Sequence, residues 1–316
     1  MQVKITRKFA VATDICALEL VRADGAPLPA FSAGAHIDVT LGDGLVRQYS
    51  LCNDPLESHR YLIAVLRDAQ SRGGSIAMHA LEEGDWLEIS EPKNHFPLHA
   101  HARHSVLLAG GIGVTPIVSM AEALDHAGAA FEMHYCTRSA ARTAFRDRLA
   151  EPCFAGRVHL YFDDASDSDS ERLDLDTLLA HPHSDTHLYV CGPSGFIVAT
   201  MQAAKAAGWD DANVHREFFV AQFDHAGGGA FQVKLSSSGR VIDVEPNVTV
   251  VAALAQAGIE VQTSCEQGVC GTCLTRVLAG EPDHRDVYLM DEEKAANDRF
   301  LPCCSRSKSP MLVLDL

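Results

Sequence analysis

Ser264-Cys265-Glu266-Gln267-Gly268-Val269-Cys270-Gly271-Thr272-Cys273, answered about thirty residues later by Pro302-Cys303-Cys304, is the stretch that decides how the chain is read. Its first three cysteines are spaced C-x4-C-x2-C and a further one follows near the C-terminal end. This is the plant-type spacing of a [2Fe–2S] cluster held by four thiolates. A tight irregular loop must bring three sulfurs to one side of a small cluster, and Gly268 and Gly271 let the backbone turn sharply and carry N–H groups close to sulfur. The rival readings are structural zinc on four cysteines, although zinc sites usually present C-x2–4-C pairs twice, and scattered buried thiols.

The bulk composition bounds the rest. The chain has 316 residues, enough for two or three domains, with 47% hydrophobic and 22% charged residues. Forty-two acids against 26 bases give a formal net charge of −16. That balance argues against nucleic acid, whose phosphates need a basic surface, and is compatible with a partner carrying basic patches. Cys16, Cys52, Cys136, Cys153 and Cys191 lie singly in apolar or strand-like contexts and read as reduced buried thiols, as expected in cytosol. The first residues lack an apolar signal core, and the uncharged run Val106 to Ala121 is too short and glycine-rich for a membrane span. A soluble cytoplasmic protein that meets no membrane is expected.

Residues 1–103 carry short alternating runs such as Ala17–Val21, His36–Leu41 and Arg60–Val65, broken by Gly, Pro, Asp and Asn. They predict an antiparallel sheet or barrel, with Leu41-Gly42-Asp43-Gly44-Leu45 as a hairpin turn. On a strand, Arg47-Gln48-Tyr49-Ser50 puts Arg47 and Tyr49 on one face and Ser50 on the other. An arginine for phosphate and a ring for stacking suit a flavin nucleotide, although an ordinary edge strand has the same composition. Ser71-Arg72-Gly73-Gly74-Ser75-Ile76 matches a phosphate cradle of exposed N–H groups, or equally a plain turn. His95, His99, His101 and His104 alternate through a polar connector with no Cys or carboxylate beside them, and read as solvated loop histidines.

From Ser105 the pattern changes to strand–glycine–helix units. Ser105–Ala109 is apolar throughout, as in a strand buried on both faces. Gly110-Gly111-Ile112-Gly113-Val114-Thr115-Pro116 follows, with Thr115 able to cap a helix and Pro116 at its first position. Ile117, Met120, Ala121 and Leu124 then form one apolar stripe. Such a turn can bind a dinucleotide pyrophosphate, but it is not G-x-G-x-x-G, so the dehydrogenase-type Rossmann reading does not follow. Further units are a strand Phe131–Cys136 with a helix Ala140–Leu149, and a strand Arg157–Phe162 ending at Asp163-Asp164. A solvated tract Ala165–Glu171 leads to a short helix Leu173–Leu179, a strand His187–Cys191 with Gly192-Pro193 and a helix to Ala207, and a last strand Val214–Phe219. The alternation implies a mostly parallel, doubly wound sheet whose ligands sit at the carboxyl ends of the strands, so Gly110, Thr115, Cys191 and Gly192 are expected to converge. Val220 to Ala230, with Gly227-Gly228-Gly229, reads as a linker. Beyond it a hairpin (Phe231–Leu235, Arg240–Val244), a helix with Val248, Val251, Ala252 and Ala255 on one face, the cysteine loop and a terminal strand Met311–Leu316 suit a compact α+β domain.

Taken in this order, Arg47-Gln48-Tyr49-Ser50, Arg72-Gly73-Gly74-Ser75, the Gly110–Pro116 turn, Cys191-Gly192-Pro193 and the cysteine set resemble the ferredoxin–NADP⁺ reductase superfamily. More narrowly, nearly the whole chain is similar to phthalate dioxygenase and vanillate demethylase reductases. The resemblance implies an antiparallel β-barrel flavin domain (1–103), an α/β doubly wound nicotinamide domain (104–224), a linker (225–230) and an α+β, β-grasp ferredoxin domain (231–316). It implies FMN rather than FAD, with Tyr49 and Ser50 against the isoalloxazine ring and Ala64, Val65 and Leu66 touching it through their backbone. Arg47 and the Arg72, Gly73, Gly74, Ser75 turn would hold the phosphate. Gly110, Gly111 and Gly192 would border the nicotinamide nucleotide, with Thr115 near the flavin edge and Cys191 near the nicotinamide. In Val214-His215-Arg216-Glu217-Phe218-Phe219, Phe219 would cover the flavin, with Phe218 as the fallback; Ser50, Cys191 and Phe219 would stand at the reacting rings. Iron ligands would be Cys265, Cys270, Cys273 and Cys303. Cys304 stays open as an alternative, although Cys303-Cys304-Ser305-Arg306 fits the family habit of following the ligand with x-Ser-Arg.

The implied activity is an NADH-dependent reductase passing electrons through FMN and [2Fe–2S] to a Rieske-type oxygenase or O-demethylase. Its rivals are a stand-alone NAD(P)H reductase of small acceptors and a redox-sensing iron–sulfur module. Thr137-Arg138-Ser139 tilts toward a ribose phosphate, but related NADH users carry a similar Arg-Ser pair and Asp163-Asp164 offers carboxylates, so NADH is expected.

Overall fold

The computed structural model describes residues 1–68, 73–164, 172–219, 229–263, 268, 271–286 and 288–316. Arg72, the 165–171 tract, linker residues 220–228, Cys265 and Cys270 lie outside the described residues. The chain divides into two units, Met1–Glu217 and Phe218–Leu316.

The first unit opens with strands β1 (Gln2–Ala12), β2 (Ile15–Arg22), β3 (His36–Thr40), β4 (Val46–Ser50) and β5 (Tyr61–Leu66), then helix α1 (Gly74–Ala80) and strand β6 (Trp86–Ile89). They form an antiparallel sheet in the order β4-β3-β6-β1-β2-β5, and an antiparallel bridge from Leu51 to Ile63 joins its two ends. Closure follows from the alternation: Val3 and Ile5, Leu18 and Leu20, Ile37 and Val39, Ile63 and Val65, and Leu87 and Ile89 point into one core. Register shifts between Ile5 and Arg7 and between Ala10 and Ala12 are β-bulges of the kind that bend a long strand around a barrel.

The same unit continues with β7 (His104–Gly110), α2 (Val114–His126), β8 (Ala130–Thr137), α3 (Arg146–Leu149), β9 (Val158–Phe162), α4 (Leu175–Leu179), β10 (Thr186–Gly192), α5 (Ser194–Ala207) and β11 (Val214–Phe218). The sheet order is β11-β10-β7-β8-β9, and the register is parallel from β10 through β9. Strand order therefore reverses between β7 and β10, the switch point of a doubly wound sheet.

Three local expectations are corrected. Helix α2 starts at Val114 rather than after Thr115, and the Thr115 hydroxyl donates back to the Ile112 carbonyl (3.1 Å) instead of capping. The helix is also buried on more than one stripe, because Ser119 Oγ donates to the Asn53 carbonyl (3.0 Å) of the barrel while other side chains meet the sheet. Residues Ala140 to Leu149 are not one helix. A 3-10 turn, Ala140–Arg142, precedes α3, and Phe145 between them is left-handed (φ 59°). Side chains of β8 cause the break: Thr143 Oγ1 meets Thr137 Oγ1 (2.8 Å), and Tyr135 OH accepts from Ala144 N–H (3.2 Å).

The second unit holds β12 (Phe231–Leu235), β13 (Val241–Val244), α6 (Val250–Gln256), β14 (Thr275–Ala279), β15 (Pro282–Asp283), α7 (Asp291–Ala296), β16 (Arg299–Phe300), β17 (Arg306–Ser307) and β18 (Met311–Leu314). A β12–β13 hairpin is followed by α6, and β18 returns parallel to β12 in the order β13-β12-β18-β14-β16. This is a β-grasp arrangement. The buried face of α6 is Val250, Ala253 and Leu254, so the expected Ala252–Ala255 face was rotated; Ala255 is exposed. Val251 instead packs on a second small core of Cys273, Leu289, Leu301, Cys303 and Cys304. No helix among the described residues is long and apolar enough to cross a membrane.

Candidate functional site

At the switch point the turn after β7 is pressed onto the end of β10. A Cβ on Gly113 would lie 2.3 Å from the Cys191 carbonyl oxygen, and one on Gly192 would lie 2.9 Å from the Gly110 Cα. Glycine is required there by close approach of two backbones, the arrangement that leaves N–H groups bare at the mouth of a nucleotide crevice. Gly111 holds φ +53° with open space around it, and Thr115 is buried. Cys191 is fully buried, and burial holds its thiol well above its ordinary pKa, with the neighbouring Glu217 carboxyl pushing the same way. Glu217, on β11, is half-buried as a residue, but its Oε2 is shut off from solvent with no hydrogen-bond partner among the described residues. Burial raises its pKa to about 8. Two uncharged proton carriers, a thiol and a carboxyl, thus stand together beside the glycine crevice.

Within the barrel, Arg47 and the α1 turn come together. A Cβ on Gly74 would lie 2.8 Å from both Cγ and Nε of Arg47, and Gly73 holds φ +95°. The guanidinium stem therefore runs over bare backbone, an arrangement that fits a phosphate between an arginine and N–H groups. Ser75 Oγ accepts from Asp68 N–H (3.1 Å). Tyr49, half-buried against the barrel core, has its hydroxyl pKa raised by burial, and Ser50 is buried at the end of β4. Ala64, Val65 and Leu66 lie on β5, and the Val65 carbonyl is engaged by His79 Nε2 (2.9 Å). Phe219 follows β11 and is half-buried, whereas Phe218 is buried.

In the second unit, Cys273, Cys303 and Cys304 are all buried. The Cys303 thiol contacts those of Cys273 and Cys304 and the Gly268 N–H. Cys304 Sγ is directed to the Leu301 carbonyl (3.6 Å) and Ser305 Oγ (3.7 Å). Gly268 and Gly271 hold φ +65° and +74°. At Gly271 a Cβ would strike the Tyr288 ring at 2.3 Å, so an aromatic side chain lies directly on the loop backbone. Thiols with an inward-turned N–H are the donor set and hydrogen bonding that suit an iron–sulfur cluster.

Residues 233–308 match the 2Fe-2S iron-sulfur cluster binding domain, and residues 90–214 match the dimethylamine monooxygenase subunit DmmA-like N-terminal domain. The vanillate O-demethylase oxidoreductase of Pseudomonas putida is 54% identical over 96% of both chains. The chain belongs to the vanillate demethylase and phthalate dioxygenase reductase family. A solved phthalate dioxygenase reductase, described as modular for electron transfer from pyridine nucleotides to [2Fe–2S], matches this family member with a TM-score of 0.77 and 39% identity, covering 100% of this chain and 98% of that one. The tetrachlorobenzoquinone reductase of Sphingobium chlorophenolicum is 45% identical over 99% of this chain and 97% of that one. This reductase-family chain is therefore an oxidoreductase with a [2Fe–2S] domain, and the zinc reading is set aside.

Glu217 is the site residue that sequence reasoning passed over. Strand alternation is the signal for it: on β11 it shares a face with His215 and lies next to β10, the strand of Cys191. The connector histidines do not gather into one site. The exposed His99 ring stacks on His187 (centroids 4.2 Å apart), and His104 Nε2 lies 3.3 Å from a Glu132 carboxylate oxygen that sequence proximity did not reveal.

Proposed function

We propose that this protein is the NADH-dependent reductase component of a Rieske-type oxygenase or O-demethylase, with FMN and a [2Fe–2S] cluster as its resident cofactors. The observation that carries the reading is one chain holding a glycine crevice closed on Cys191, an arginine–glycine phosphate cradle and a buried thiol shell. The bound groups would supply hydride acceptance and its division into single electrons. The chain's own residues do the rest. Arg47, Gly73, Gly74, Ser75 and Arg72 hold the flavin phosphate, while Tyr49, Ser50 and the 64–66 backbone border its ring. Gly110, Gly111, Thr115 and Gly192 admit the nicotinamide nucleotide to the crevice. Cys191 and Glu217, whose pKa values burial raises, would border the nicotinamide without setting a negative charge against it. Cys265, Cys270, Cys273 and Cys303 would bind iron. The three functional segments are 1–103, 104–224 and 231–316, and the protein works in the cytoplasm.

Purified protein should carry FMN and two irons per [2Fe–2S], be bleached anaerobically by NADH in preference to NADPH, and sustain fast NADH turnover only when an oxygenase component is added. Protein lacking flavin absorbance and iron after anaerobic reconstitution would end this reading. Reduction of a free small acceptor is the second reading, favoured by the likeness to tetrachlorobenzoquinone reductase. It predicts that quinone turnover with NADH is as fast without the oxygenase as with it.

A further inference from the structure

His284 is a buried imidazole that the electron-transfer reading leaves unused. Its side chain is 8% exposed, and neither Nδ1 nor Nε2 has a hydrogen-bond partner among the described residues. A neutral imidazole carries one N–H and one lone pair, so both are left unmet in a low-dielectric setting. The nearest charge is the fully buried Asp286 carboxylate, whose Oδ1 lies 3.7 Å from His284 Nδ1, too long for a hydrogen bond but close for an ion pair. Asp286 is itself fastened to the thiol shell. Its Oδ2 accepts from Leu289 N–H (2.8 Å), and Leu289 packs against Cys273, Cys303 and Cys304. Its Oδ1 accepts from Ser305 Oγ (3.3 Å), which lies 3.7 Å from Cys304 Sγ.

We propose that His284, acting through Asp286 and Ser305, couples proton uptake to electron uptake at the cysteine-bound cluster. This rests on the reading of Cys303 as a cluster ligand. Adding one electron makes the shell one charge more negative. A proton taken from solvent onto His284 offsets that charge and turns the unpartnered ring into a cation facing Asp286. When the electron leaves for the acceptor protein, the proton returns to solvent, so charge and atoms balance over a turnover. Other charged groups around the ring are already engaged: Arg285 Nε pairs with Asp283 (2.9 Å), Lys294 Nζ donates to the Asp286 carbonyl (2.8 Å), and Arg306 is bound to the Val248 and Glu245 carbonyls.

The test is a potentiometric titration of the iron–sulfur centre in the full-length holoprotein, followed by its EPR signal, at intervals from about pH 5.5 to 8.5. The wild-type potential should fall with rising pH, by up to tenfold in the reduction equilibrium per pH unit, which is ~59 mV for one electron. His284→Gln should flatten the slope while iron content and the visible spectrum stay as in wild type. Asp286→Asn should shift the pH range over which the slope appears. A wild-type protein that holds its cluster but shows a flat potential, or a His284→Gln variant that keeps the wild-type slope, overturns the coupling. A protein that holds no cluster at all overturns the ligand assignment instead.

Discussion

Replacing Gly113 with alanine tests the crevice directly. The added methyl would sit 2.3 Å from the Cys191 carbonyl oxygen, 2.4 Å from its carbon and 2.6 Å from the Gly192 nitrogen. Ordinary contact needs roughly 1 Å more, and every atom struck is backbone, so no side chain can swing aside. Either the turn lifts off the end of β10 or β10 slides, and both move Cys191 relative to the Gly110–Gly113 turn. Overpacking of this kind costs about 1–3 kcal/mol in a well-packed interior. A displacement near 1 Å at reacting groups costs about 100-fold in rate. The expected result is a fall in kcat/KM for NADH of about 100-fold, with the iron–sulfur spectrum and direct dithionite reduction unchanged. Gly111→Ala is the matched control. It has φ +53° but nothing within 4 Å of a Cβ, so it should lose about 1 kcal/mol of stability without lifting the turn off the end of β10. Stopped-flow flavin bleaching by NADH, with thermal melts of both variants, decides the matter. A Gly113→Ala protein with wild-type bleaching and melting would refute the claim that the two backbones are in contact.

Three further outcomes are expected. Glu217→Gln should remove a stability term: with its pKa raised to about 8, the native carboxyl favours folding below about pH 4.5, and that contribution is lost as pH rises through about 8, so urea midpoints measured across this range should slope downward in wild type and less in the variant. Arg47→Ala should weaken FMN binding by about 10–100-fold, the loss of one charge-assisted contact of about 1.5–3 kcal/mol, read by fluorescence titration of the apoprotein. Cys303→Ser should abolish or alter the cluster spectrum while Cys304→Ser preserves it; the reverse pattern would make Cys304 the ligand.

Much of the molecule was legible in the chain alone, and the reasons are local. Cysteines that bind one cluster from one loop must keep their spacing, and an alternating strand shows its buried face without reference to any partner. An antiparallel sheet or barrel, a doubly wound sheet and a compact α+β unit were each readable from local pattern, whereas the β-grasp topology came only with the family resemblance. Where the chain misled, a tertiary contact had overruled a local preference. Tyr135 and Thr137 broke the expected Ala140–Leu149 helix by taking its polar groups, and α6 turned to bury Leu254 because two small cores, not one, lie beneath it.

The sequence by itself determined the order of the nucleotide and cysteine motifs, and with it the family. Only the tertiary structure decided which residues meet. Gly113 touches Cys191 because β7 and β10 are neighbours, although two further strands separate them in the chain. Arg47 lies over Gly74, Glu217 comes beside Cys191, and Cys273, Cys303 and Cys304 gather in one buried core. Such meetings depend on sheet order and on the direction of a backbone at a single residue, and no local spacing records either.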